Sequence, residues 1–69
     1  MKLQPNEFTV SSYVAHLNKK YGAKVSGEPF KPNDVYQYLL RGYIPYHYGK
    51  EKITAKKIEG VKIITMVKG

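Results

Sequence analysis

The spacing of the apolar residues changes near the middle of the chain, and this change predicts a domain that contains both helices and strands. In two segments before Gly42, apolar side chains recur every three or four residues, which is the spacing of one side of a helix. After Pro45 the pattern moves toward alternation, which is the spacing of a strand. The sequence therefore predicts the α+β class, with two helices first and extended segments after them.

The first predicted helix begins after Thr9 and ends at Gly22. Thr9 is a favourable N-cap, because its hydroxyl can accept a hydrogen bond from the amide of Ser12. Phe8 and Tyr13 are spaced to pack together across this cap. The apolar positions of the helix fall at i, i+3, i+4, i+7 and i+11, and they are Val10, Tyr13, Val14, Leu17 and Tyr21.

The second predicted helix runs from Pro32 to Arg41, after a connector over residues 23–29 that carries glycine and proline. Proline is favourable at the first helical position, and Asp34 in the first turn suits the helix dipole. Lys31 occupies the cap position, where a side-chain acceptor is usual. Val35, Tyr38 and Leu39 share one side of this helix, and we expect them to face the core.

The remaining third of the chain predicts strands. Tyr46 and Tyr48 alternate with His47, residues 49–52 resemble a turn, and Ile53 begins a second extended piece, so a hairpin is predicted here. Residues 54–60 allow two interpretations. Either they form one helical turn, or residues 53–58 form a strand that pairs through a turn at 59–60 with a β-branched terminal strand at 61–67. Among the tyrosines, Tyr38 and Tyr43 are predicted to be in the core, and Tyr46 and Tyr48 on the hairpin.

The length and the absence of cysteine limit what this chain can be. Sixty-nine residues form a single domain, over residues 1–69, with a small core. Without cysteine there are no disulfides, thiolate metal sites or thiol nucleophiles, which favours the cytoplasm as the compartment. No apolar run is long enough to cross a membrane, and no secretory signal is recognisable.

The residues that catalysis or metal binding would require are scattered. The carboxylates do not cluster along the chain, and His16 and His47 lack the spacing that places two ligands on one side of a helix. His16 lies opposite Leu17 on the helix and is expected to be exposed. The sequence therefore predicts a protein that is not an enzyme and that has no metal and no cofactor.

The charge of the chain favours a polyanionic partner. Twelve Lys and Arg residues against five Asp and Glu give a formal net charge of +7. Neutralising phosphates releases counterions and drives association, so nucleic acid is favoured over small acidic metabolites. The charge alone does not distinguish DNA from RNA.

The segment from Asp34 to Ile53 resembles a known family. It resembles the second helix and wing of the winged helix-turn-helix superfamily that contains the mercury-resistance-type regulators and the phage excisionases. The matching features are the step at residues 41–45 (Arg-Gly-Tyr-Ile-Pro), the hairpin tip at residues 49–52 and the closing Ile53. Phe8-Thr9-Val10 is similar to the start of the family's first helix. The resemblance implies a small winged helix-turn-helix with two main helices, a β-hairpin wing and a C-terminal strand.

The resemblance places the outward side of the second helix, including Leu40, in the major groove, and the hairpin on the DNA backbone. Amide side chains can form paired hydrogen bonds with adenine, and arginine can reach phosphate or guanine. The alternative is that Asn33 and Gln37 are ordinary surface residues. The predicted DNA-contacting residues are Asn33, Tyr36, Gln37, Arg41, Tyr46, His47, Tyr48, Lys50 and Lys52.

The resulting prediction is a cytoplasmic, non-enzymatic protein that binds double-stranded DNA. The resemblance implies an excisionase or a small transcriptional regulator of a phage or mobile element. Besides DNA, the expected partners are further copies of itself on DNA, or a recombinase; no membrane is expected. Two alternatives come from other classes: a small phage-type protein that inhibits a host protein, and an RNA-binding module.

Overall fold

Two helices pack against one face of a three-stranded antiparallel sheet in the computed structural model, which describes residues 3–67. The elements are β1 (Glu7–Thr9), α1 (Val10–Tyr21), α2 (Pro32–Arg41), a 3₁₀ helix (Tyr46–Tyr48), β2 (Lys52–Ile58) and β3 (Val61–Val67). The strand order is β1-β3-β2. The predicted α+β class is therefore confirmed.

Helix α1 begins and ends where the sequence predicts. The Thr9 hydroxyl accepts a hydrogen bond from the Ser12 amide at 3.2 Å, and the Ser12 hydroxyl accepts one from the Thr9 amide at 3.0 Å. The rings of Phe8 and Tyr13 lie 5.4 Å apart across this cap. At the other end, Gly22 adopts a φ of 79° and its amide donates to the Asn18 carbonyl at 2.8 Å. Local sequence thus specifies both ends of this helix.

Helix α2 also has its predicted bounds, although its cap is formed by another residue. An ammonium group cannot accept a hydrogen bond, so the Lys31 side chain cannot cap the helix. Instead the Asp34 carboxylate accepts a hydrogen bond from the Lys31 amide at 2.9 Å. Gly42 ends the helix in the left-handed conformation, with its amide 2.9 Å from the Tyr38 carbonyl.

The main hairpin joins β2 and β3 through Glu59 and Gly60. Both turn residues have positive φ, 52° and 79°, as a type I′ turn requires. The strand interpretation of residues 53–58 is confirmed, as is the terminal strand, and the helical-turn interpretation is wrong. Strand β1, which pairs Phe8 with Ile64, is too short to show alternation in the sequence and was not predicted.

The hairpin predicted at residues 46–53 is wrong in detail. Tyr46–Tyr48 is a 3₁₀ helix, in which the Tyr48 amide donates to the Pro45 carbonyl at 2.9 Å. The chain does reverse here, but the paired segments lie outside the tyrosines. The Ile44 amide donates to the Glu51 carbonyl at 2.9 Å, and the Ile53 amide donates to the Gly42 carbonyl at 3.0 Å.

This geometry exchanges the predicted places of two tyrosines. Tyr48 is 7% exposed, and its ring lies 5.0 Å from that of Phe30 and 5.3 Å from that of Tyr21. Tyr43 is exposed. It pairs with Lys52 in an extended stretch, where successive side chains point to opposite sides, and the next residue, Ile44, is the one that is buried. The main cluster of buried residues comprises Tyr13, Leu17, Phe30, Val35, Tyr38, Ile44, Tyr48, Ile53 and Ile64.

Candidate nucleic-acid interface

The outward side of α2 is a continuous exposed surface of mixed chemistry. Val35 and Tyr38 point into the core, as predicted, and Leu39 packs against its edge. The remaining positions of the helix turn outward, and Tyr36 and Leu40 are 43% and 83% exposed. The exposed side chains here are those of Asn33, Tyr36, Gln37, Leu40 and Arg41. The structure therefore brings all four predicted α2 residues to the surface of one element.

The far half of the β2–β3 hairpin carries two lysines on the same side of the sheet as the helices. Lys57 pairs with Lys62 in the antiparallel register, next to the turn. Lys57 follows the buried Ile53 by four residues on β2, so the two side chains lie on the same face of the sheet, the one against which the helices pack. Lys62 lies directly opposite Lys57 and shares that face. The Lys62 ammonium lies 5.2 Å from the centre of the Tyr36 ring. This cation–π contact joins the hairpin to the outward side of α2.

The acidic residues that could balance these charges are mostly engaged elsewhere. Four ion pairs engage four of the five carboxylates: Glu51 pairs with Lys20, both Asp34 and Glu28 pair with Lys24, and Glu7 pairs with Lys56. Within residues 3–67, neither Lys57 nor Lys62 has an ion pair. Two like charges directly opposite each other on a sheet are destabilising. The hairpin therefore maintains a concentration of positive charge beside α2.

The other predicted site residues lie in different places. His47 is exposed in the 3₁₀ helix, and Lys50 is exposed in the loop that follows it. Lys52 alternates with the buried Ile53, so its side chain lies on the sheet face away from the helices. The ring of Tyr48 belongs to the core and not to an exposed hairpin. The side chain of Tyr46 lies outside the described part of the structure.

Lys57 and Lys62 were not among the predicted site residues. The resemblance to the winged helix-turn-helix superfamily places the hairpin tip at residues 49–52, and the predicted lysine contacts were therefore Lys50 and Lys52. A signal was present, however. If Glu59 and Gly60 form a two-residue turn, residues 58 and 61 flank it, and 57 must then oppose 62.

His16 is not the freely exposed residue that its helical position predicted. Its ring lies 5.0 Å from that of Phe8 and 5.8 Å from that of Tyr13. Its Nε2 atom is buried and has no hydrogen-bond partner in the described part of the chain. The cause is the cap of α1, which folds Phe8 back over this side of the helix. Among residues 3–67, no group of three or more His, Cys, Asp or Glu side chains can hold a metal ion.

Two buried tyrosines remain neutral at physiological pH. Burial raises the pKa of Tyr13, and the nearby Glu51 carboxylate raises it further. Burial also raises the pKa of Tyr38. Both rings belong to the main cluster of buried residues.

In comparisons with known proteins, no protein family, curated protein or solved structure matches this chain. Among the described residues, no helix is long and apolar enough to span a membrane.

Proposed function

We propose that this protein is a non-enzymatic binder of double-stranded DNA, which uses α2 and the far half of the β2–β3 hairpin. The observation that carries the proposal is the Lys57–Lys62 pair. Two lysines face each other without an ion pair in the described chain, and one of them contacts Tyr36 on the outward side of α2. Such a pair disfavours folding, but it suits a site that receives phosphates.

The length of α2 and the position of the hairpin beside it support this proposal. The ten residues of α2 span about 15 Å, and a helix fits the major groove of B-form DNA. With α2 in the groove, the hairpin beside it would follow the sugar-phosphate backbone. In this proposal α2 is the recognition helix and the β2–β3 hairpin is the wing, with the wing tip at Glu59 and Gly60 instead of at residues 49–52.

Within this proposal, an excisionase or a small transcriptional regulator of a phage or mobile element is the biological role we favour. A single module of this size makes few contacts with DNA and binds weakly by itself. We therefore propose that it acts in the cytoplasm by assembling on DNA with further copies of itself or with a recombinase.

The test is a salt titration of binding to duplex DNA, single-stranded DNA and RNA of the same length and sequence. If about 3 to 5 phosphates are neutralised, log K plotted against log salt should have a slope of roughly −3 to −4.5 for the duplex. Stronger binding to RNA would favour an RNA-binding module. Absence of duplex binding at about 50 mM salt would favour the inhibitor of a host protein.

Matched charge variants then locate the interface. Lys57→Gln and Lys62→Gln should each weaken binding to every duplex and reduce the magnitude of the salt slope by about 1. Lys52→Gln is the control, because it removes the same charge from the same hairpin on the opposite face. Equal effects of all three substitutions would show that the protein responds to total charge and that this face is not the interface.

A further inference from the structure

Leu40 is the most exposed large apolar side chain described in this protein. It is 83% exposed, whereas the adjacent Leu39 is partly buried against the core. Because so little of the side chain leaves water on folding, Leu40 contributes little to the hydrophobic stabilisation of the monomer. Its position on the proposed DNA-binding side of α2 suggests a contact with a ligand.

The surroundings of Leu40 indicate the chemistry of that ligand. Tyr36 and Gln37 lie one turn earlier on the same side of the helix. Lys62 contacts the Tyr36 ring, and Lys57 pairs with Lys62 on the hairpin. An apolar protein partner would have to leave these two lysines unpaired. Duplex DNA satisfies the whole surface, because phosphates would face the lysines while base edges face the helix.

The major groove contains one prominent apolar group, the 5-methyl group of thymine. Adenine presents both a donor and an acceptor there, and a glutamine side-chain amide can form one hydrogen bond with each. Residues three apart on a helix are separated by about 4.5 Å along its axis, and neighbouring base pairs by about 3.4 Å. Gln37 and Leu40 are thus spaced to contact adjacent base pairs.

We infer that Leu40 packs against the 5-methyl group of thymine in the major groove, so that the protein prefers thymine-containing duplexes. This inference rests on the proposed function. The proposed contact joins the thymine methyl group to the Leu40 side chain, and either group can be removed without altering the hydrogen bonding of the other.

The experiment compares two duplexes of 20 base pairs, one with alternating adenine and thymine and one with uracil in place of every thymine. Both are titrated with the intact protein under the same salt conditions and followed by fluorescence anisotropy. Losing one buried methyl group should weaken binding by about fourfold. Leu40→Ala should bind both duplexes equally, with an affinity close to that of the unaltered protein for the uracil duplex.

Two further variants make the result specific. Val25→Ala also removes an exposed apolar side chain, which is 73% exposed in the connector, and it should retain the full preference for thymine. Leu40→Met keeps an apolar contact and should retain part of it. Circular dichroism of each variant shows whether the fold is preserved.

The outcomes separate this inference from the proposed function. Salt-dependent duplex binding with equal affinity for thymine and uracil would overturn the thymine contact while leaving DNA binding intact. A preference for thymine that persists in Leu40→Ala would also overturn it. Failure to bind either duplex at about 50 mM salt would overturn both.

Discussion

At the scale of single residues, Asn18 has a structural role that the sequence did not reveal. Its side-chain oxygen accepts a hydrogen bond from the Phe30 amide at 2.7 Å, and its side-chain nitrogen donates to the Phe30 carbonyl at 3.2 Å. The backbone amide and carbonyl of Phe30 are therefore both hydrogen-bonded to the side chain of Asn18. This contact fixes the end of the connector to α1 and places the Phe30 ring in the core.

We predict that Asn18→Ala lowers the free energy of unfolding by about 1 to 3 kcal/mol, because it removes two hydrogen bonds and leaves partly buried backbone groups unpaired. Urea denaturation followed by circular dichroism measures this change. Asn33→Ala is the matched control: it removes the same amide from an exposed position and should change stability by no more than about 0.5 kcal/mol. Equal effects of the two substitutions would show that Asn18 does not hold the connector.

At the scale of elements, the short strand β1 is attached to the sheet by an ion pair that crosses β3. The Glu7 carboxylate lies 2.5 Å from the Lys56 ammonium on β2, and it also accepts a hydrogen bond from the Gln4 amide at 2.8 Å. The hydrogen bond from Lys56 is the main cause that holds the pKa of Glu7 below its usual value, followed by that from Gln4. Through Glu7, the three-residue strand β1 thus gains side-chain contacts in addition to its backbone pairing.

This lowered pKa predicts how stability depends on pH. A carboxylate whose pKa is lower in the folded state stabilises that state above the unfolded pKa, and the stabilisation is lost as pH falls through the folded value. Urea denaturation between pH 7 and pH 3 should show this loss on the acid side. Glu7→Gln should make the acid side less steep.

Lys56→Gln should have the same effect, and the double variant should add little to either single one. An unchanged pH dependence in both single variants would contradict the role of this pair.

At the scale of the whole molecule, the protein combines a small core with an excess of positive charge. Its net charge is +7, and the carboxylates of Glu7, Glu28, Asp34 and Glu51 are already in ion pairs. The remaining cations repel one another, and this repulsion opposes the compact state. The excess of positive charge therefore reduces the stability of the free protein.

Salt should consequently have opposite effects on folding and on the proposed binding of DNA. Raising sodium chloride from about 50 to 500 mM screens the repulsion and should raise the free energy of unfolding by on the order of 0.5 kcal/mol. The same change should weaken duplex binding steeply. Urea denaturation at each salt concentration provides the measurement. A fall in stability with salt would mean that the ion pairs outweigh the repulsion.

The sequence by itself determined both helices, the terminal strand and the chemistry of the α2 surface. Thr9, Gly22, Pro32 and Gly42 act on backbone groups within a few residues of themselves, so their effects do not depend on the rest of the fold. The exposed residues of α2 follow from helical spacing once Val35 and Tyr38 are assigned to the core.

Tertiary structure alone decided the conformation of residues 46–53 and the places of the tyrosines. The alternation of Tyr46 and Tyr48 fits a strand, but Tyr48 can bury its ring among Tyr21, Phe30 and Tyr38 only if the chain turns at this point. That gain depends on residues 10 to 27 positions away, which local spacing cannot show. The sequence allowed the pairing of Lys57 with Lys62 under one of the two interpretations of residues 54–60. The register of β2 and β3 decided between them, and a shift of one residue would have moved every side chain to the other face.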